Sequence, residues 1–356
     1  MAAGSWSSRR GLVRWLGVAV LVLLVGLAGC SPGGEPDPPE DPDAEPAEPE
    51  PDPQQHLLTG EDTEEVPDRP ALLIKVSNSP EARPHTGIEA ADVVFEELTE
   101  GGITRFLAVF HSELPEVVGP IRSARPVDIQ LLSGFGRPGF AYSGARDEVR
   151  ALLSDAPAAA ITEGAPGFFR DDGTYAAHPV APHDLFIETE PALEAVLDGG
   201  AISLTDLGWV FDAEPPAGGD TVGGDELEVA MSPSFRTGWT YDEVEGVYRR
   251  LQNGEPSLVT GPDRIGAANV VVLAVRHFTG DSGYPETDVL GEGDALVLRD
   301  GRRYAARWSK PTATDPMLVL TADGSETFPL RPGATWILLP DALPAPPEEP
   351  EEPADS

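Results

Sequence analysis

The 356-residue sequence has one cysteine, Cys30, so it can form no intramolecular disulfide and no cysteine-based zinc site. Positive charge is also scarce: 24 Lys and Arg face 61 Asp and Glu, a net charge of −37. The deficit is uneven. Residues 31–68 hold 14 acids and no base, the tail 341–356 holds 6 acids and no base, and the first 30 residues hold three arginines; setting these aside leaves −20 for residues 69–340. At that charge, long-range attraction to nucleic acid or to bare anionic lipid is disfavoured. No nucleic-acid partner is expected, and any anion must be met by a local basic cluster. The apolar run Leu16–Leu27 is shorter than the roughly 20 residues that a spanning helix needs.

What is present begins with a leader. Arg9, Arg10 and Arg14 precede the apolar run, and small residues follow it, the order of a signal peptide over residues 1–30. Leu27-Ala28-Gly29-Cys30 resembles a bacterial lipobox, in which the cysteine sulfur takes a diacylglycerol and cleavage leaves that cysteine first. Two acyl chains, at about 0.8 kcal/mol per buried CH₂, would hold a folded domain at a bilayer. A membrane lipoprotein on the extracytoplasmic face is therefore expected, anchored through Cys30. Ser8-Arg9-Arg10-Gly11-Leu12 also resembles a twin-arginine signal, although paired arginines are common in general-secretion leaders. Residues 31–67 alternate Pro with Asp and Glu and read as a stiff, solvated tether; 341–356 read as a second disordered acidic tail.

Between them the pattern predicts an α+β chain, with an α/β N-terminal domain over 69–205 and a β-rich C-terminal domain over 227–340. Strands are expected at Ala71–Val76, Asp92–Leu98, Ile103–Phe110, Phe140–Tyr142 and Ala159–Ile161, with helices at Val127–Leu132, Asp147–Leu153 and Glu190–Leu197. After residue 227 only short strands recur, from Leu227–Met231 to Thr335–Leu339, with turns such as Asp300-Gly301 and Asp323-Gly324 between them. Whether this second region is a separate domain or completes the first is left open by the pattern.

The densest polar segment is 78–128. In an acidic protein, its Arg83, Arg105, Arg122 and Arg125 stand out, because a guanidinium gives planar, bidentate contacts to carboxylate or phosphate. Ser123, Thr104 and amides near Gly101, Gly102 and Gly119 could add donors, with Glu96 or Glu100 as acid or base. Two readings stay open: a pocket for an anionic ligand, or arginines paired with Asp92, Glu96, Glu100 and Asp128 to fix loops. His178 and His183, with His85 upstream, are not at zincin spacing and are separated by prolines, so no metal is expected. Ser143-Gly144 lacks the flanking glycines of a nucleophile elbow and reads as a turn lining the pocket. Gly134-Phe-Gly136-Arg-Pro-Gly139 follows a helical segment and contains Pro138, so no dinucleotide cofactor is expected. Trp239, Trp308 and Trp336 read as core anchors of strands.

Four blocks carry a resemblance: Arg83-Pro84-His85-Thr86-Gly87, Glu100-Gly101-Gly102-Ile103-Thr104-Arg105, Gly119-Pro120-Ile121-Arg122-Ser123-Ala124-Arg125 and Ala181-Pro182-His183-Asp184-Leu185. They resemble the signature blocks of the YerB-like lipoproteins, the domain of unknown function numbered 3048, with Asp184 where the family carries Asn. Asn269-Val270-Val271-Val272 and Trp308-Ser309-Lys310 resemble blocks of its C-terminal region. The resemblance covers nearly all of 69–340 and implies an exported lipoprotein without supplying a reaction. The leading expectation is an accessory or ligand-binding lipoprotein, with Arg83, Arg105, Arg122, Ser123 and Arg125 meeting an anionic group of an envelope glycan, wall polymer or partner protein. The alternatives are an envelope glycan hydrolase or transferase using Glu96 or Glu100 with His183, and a purely structural partner of an envelope protein.

Overall fold

The computed structural model describes residues 54–177, 179–280 and 283–346. The leader, Cys30, most of the acidic tether, His178 and most of the acidic tail lie outside them. Among these residues, the apolar runs near the start of the folded part form strands buried on both faces: β1 (Leu72–Ser77), β2 (Val93–Leu98) and β3 (Thr104–Phe110). Continuous burial, in place of in–out alternation, means that layers cover both sides. There follow α1 (Pro126–Leu132), β4 (Gly139–Tyr142), α2 (Asp147–Asp155), β5 (Ala159–Thr162) and α3 (Thr189–Asp198). The later region supplies β6 (Glu226–Ser232), β7 (Phe235–Asp242), β8 (Val247–Gln252), β9 (Asn269–Leu273), β10 (Gly291–Arg299), β11 (Arg302–Lys310), β12 (Leu318–Thr321) and β13 (Thr335–Leu339).

Ten of these strands form one mixed sheet in the order β12-β11-β10-β9-β13-β2-β3-β1-β4-β5. The late strand β13 lies parallel between β9 and β2, with Val271 opposite Ile337 and Ile337 opposite Phe95. Strands from 69–205 and from 227–340 are therefore neighbours in one sheet. On one face, α1 and α2 pack through Val127, Leu131, Val149 and Leu153 against Leu73, Phe95 and Leu107. On the other, the meander β6-β7-β8 and helix α3 pack through Leu227, Trp239, Tyr248 and Val196 against Ile74, Phe106 and Trp336.

The description that this supports is coarser than an α/β N-terminal domain followed by a β domain. The chain is strand-rich, 41% strand against 13% helix, and its early strands share a sheet with its late ones. The stretch Val270–His277 is not one continuous strand: it divides into β9 and a separate strand, Arg276–Thr279, paired with Pro285–Asp288. The Asp300-Gly301 hairpin is as expected. Both residues have positive φ, +54° and +66°, the conformation of a tight turn that follows strand twist. Trp239, Trp308 and Trp336 are all buried, so none presents a ring to a sugar.

Candidate functional site

β1 runs parallel to β4, and β3 runs antiparallel to both β1 and β2. The carboxyl ends of β1, β2 and β4 and the start of β3 therefore share one end of the sheet, where α/β folds commonly place ligands. The four resembling blocks converge there. Residues 119–124 form an extended strap across this end. Ser77 donates its amide to the Pro120 carbonyl (2.9 Å), Arg122 to Lys75 (2.8 Å), Ile121 to Leu185 (2.7 Å) and Ser143 to Arg122 (2.9 Å). Gly119 and Thr86 exchange two backbone bonds. A Cβ on Gly119 would lie 2.4 Å from the Phe186 ring, so only glycine lets the strap lie this close. Gly101 and Gly102, at φ +78° and +71°, turn the chain from β2 into β3 and set Glu100 beside Arg125.

The result is a cluster of cations. Arg125 donates through Nε and a terminal nitrogen to one Glu100 oxygen (3.0 and 2.6 Å) and also to the Ser123 and Ala124 carbonyls. Arg105, 7% exposed, donates to the Ser123 carbonyl (3.1 Å) and leaves its buried Nε without a partner. Arg122 is half-buried, and among the described residues its side chain makes no hydrogen bond or ion pair; its Nε is also buried and unpartnered. Burial and the charges of Arg125 and Arg122 depress the Arg105 pKa, and burial and Arg125 depress that of Arg122. Burial alone would raise the Glu100 carboxyl, but its bonds to Arg125 hold it below the usual range. Packing cations with too few counter-charges raises their energy, and an incoming anion would relieve it.

Beneath them, the fully buried Lys75 lies between Glu97 and Asp128, 2.8 Å from the Asp128 carboxylate. The other Asp128 oxygen accepts the Arg125 amide (2.6 Å), which pins the start of α1 under the cluster. His183 places Nδ1 3.3 Å from the Ser79 hydroxyl, and burial followed by the Arg122 charge lowers its pKa.

The sequence-predicted residues thus divide. Arg105, Arg122, Arg125, Glu100 and His183 come together, with Ser123 contributing its carbonyl. Arg83 donates to the Asn78 carbonyl and lies over the Phe235 ring, among the charges of Arg250 and Glu96. Glu96 is a correction: it is 0% exposed and accepts from Thr104, Thr237, Arg250 and Trp336, so neither oxygen is free for an acid or base role. His85 is likewise buried, its Nε2 2.8 Å from the Ser77 carbonyl, with burial holding its pKa down to about 3. Sequence reasoning missed Lys75, Glu97 and Ser79. Lys75, a charge inside an apolar run, was the one visible signal.

A strand-rich fold whose motif blocks gather at one sheet end defines the class. Residues 58–201 match the family described as "Protein of unknown function (DUF3048) N-terminal domain", and 227–337 match its C-terminal domain. The chain belongs to this family. It is 29% identical over 307 residues to the Bacillus subtilis (strain 168) protein named "Putative lipoprotein YerB", covering 80% of this chain and 86% of that one. It also resembles the crystal structure of the YerB protein from Bacillus subtilis, with a TM-score of 0.68 and 25% identity over 81% of this chain and 97% of the other.

Proposed function

We propose that the chain is an exported lipoprotein held by acylated Cys30 on the extracytoplasmic face of a membrane, and that Arg105, Arg122 and Arg125 bind an anionic group there. The anion belongs to an envelope glycan, a wall polymer or the carboxylates of a partner protein. One observation carries the binding reading: of the three clustered guanidiniums, only Arg125 has a carboxylate partner, while Arg105 and Arg122 each keep a buried, unpartnered Nε. Buried donors are ordinarily bonded, so two such groups in one place favour a missing acceptor. The lipobox-like block and the name of the Bacillus relative support the anchor.

The hydrolase reading through Glu96 is not favoured, since that carboxylate is enclosed and fully bonded. The test is binding of the full chain, in detergent, to purified wall fragments. Arg122→Ala should weaken binding roughly tenfold or more, the size of one charge-assisted contact. Glu100→Ala should leave it equal or tighter. Equal binding by wild type and Arg122→Ala would sink the reading.

A further inference from the structure

We infer that Ser79 and His183 form a nucleophile–base pair beside the arginine cluster, acting on an ester or amide whose acyl part carries an anionic group. The substrate class rests on the anion-binding reading above; the pair itself rests on separate geometry.

Ser79 stands at the N-cap of the short turn Pro80–Ala82, where a serine hydroxyl ordinarily accepts an amide hydrogen. Here it makes no such bond. Its oxygen lies instead 3.3 Å from His183 Nδ1 and 3.2 Å from the Ser77 hydroxyl. His183 comes from 104 residues along the chain, and the neighbouring bond from the Ile121 amide to the Leu185 carbonyl holds that segment against the strap. Ser79 is 7% exposed and His183 is half-buried, so the pair is sheltered with the imidazole on the more open side. In the tautomer that carries its proton on Nε2, the neutral ring accepts the Ser79 hydroxyl proton at Nδ1, the arrangement a general base requires. Burial, and after it the Arg122 charge, opposes protonation of His183, which keeps the base form available at neutral pH. Among the described residues the Arg122 side chain has no hydrogen-bond or ion-pair partner, so it can face either the substrate's anionic group or a developing oxyanion.

The chemistry balances without a metal or redox partner. The Ser79 oxygen forms a bond to the carbonyl carbon as its proton passes to Nδ1, and the carbonyl electron pair moves onto oxygen. Collapse breaks the bond to the leaving alkoxide or amine, which takes the proton from the imidazolium. Water then adds to the acyl-serine, giving its proton to Nδ1. The second collapse releases the acid, and the serine oxygen recovers the proton. Glu100, held by Arg125, takes no part.

The bland alternative is that the Ser79–His183 contact merely ties a loop to the end of β1. A fluorophosphonate probe, which phosphonylates activated serines, separates the two. The full chain in detergent is treated, and the labelled peptide is located by mass spectrometry. Labelling is expected at Ser79, absent in Ser79→Ala and slowed roughly 100-fold in His183→Gln, the scale of a lost general base. Unmodified Ser79 in folded wild type, or equal labelling rates with and without His183, would overturn the pair. A second readout compares aryl esters with and without a carboxylate on the acyl group. The charged ester should be preferred, and Arg122→Ala should erase that preference. Wall fragments that bind in an Arg122-dependent way to a chain whose Ser79 stays unlabelled would leave the anion site standing and remove the pair. Labelling at Ser79 with no charge preference would do the reverse.

Discussion

Glu96 and Glu97 show how far adjacent residues can diverge. Successive side chains on a strand point to opposite faces, so β2 sends Glu96 toward the meander and Glu97 toward α1. Glu96 meets Arg250 of β8 at 2.9 Å and the Trp336 indole of β13 at 3.0 Å, and so links three strands from two sheets. Arg250 also packs over the Phe106 and Trp336 rings. A buried pair is costly to break on one side, because the survivor is left charged without a partner. Arg250→Met should therefore destabilise the fold by about 3–5 kcal/mol, seen as a lower urea midpoint. Glu96→Gln combined with Arg250→Met should cost less than the two single changes added together; simple additivity would show that the pair is not coupled. From sequence, Glu96 looked like a catalytic candidate. Only the arrival of Arg250, 154 positions later, shows that its oxygens are occupied.

At the scale of elements, β13 decides the architecture. It fills the gap between β9 and β2, and its residues Ile337, Leu338 and Leu339 are buried on both faces. Without it, β2 would become an edge strand with an unpaired row of backbone groups, and Glu96 would lose the Trp336 donor. A fragment ending at residue 205 should then lack cooperative unfolding and resist proteolysis far less than the full chain. A sharp thermal transition for residues 54–205 alone would refute that. The elements themselves were legible: β1, β2, β3 and the three α-helices fall within a residue or two of their periodic signals. The strap at 119–124 was not. It is extended but pairs with several elements in turn, so it carries neither a period of 2 nor of 3.6.

For the whole molecule, charge and attachment set what the site can meet. Residues 69–340 carry −20, so the fold repels anions at a distance, and the proposed binding has to come from the local arginines. Raised salt should screen that long-range repulsion more than the partly buried cluster, so binding of an anion should fall less steeply with salt than it would on a neutral fold, as a titration of binding against ionic strength would show. The proposed attachment rests on Cys30, outside the described residues. Cys30→Ser should move the protein from the membrane fraction to the soluble one and abolish labelling by a radioactive fatty acid; continued membrane fractionation would argue for another anchor.

The sequence by itself determined the family of the chain, the positions of β1, β2, β3 and the three helices, and the four motif blocks; the strand-rich balance and the shared sheet it did not. The elements follow from local periodicity and turn chemistry, which need no knowledge of distant residues, and the family from the resemblance of the motif blocks. Only the tertiary structure decided which charges are spent on one another. Pairing depends on strand order and on the face each residue takes, and it separated the enclosed Glu96 from the arginines left without a counter-charge.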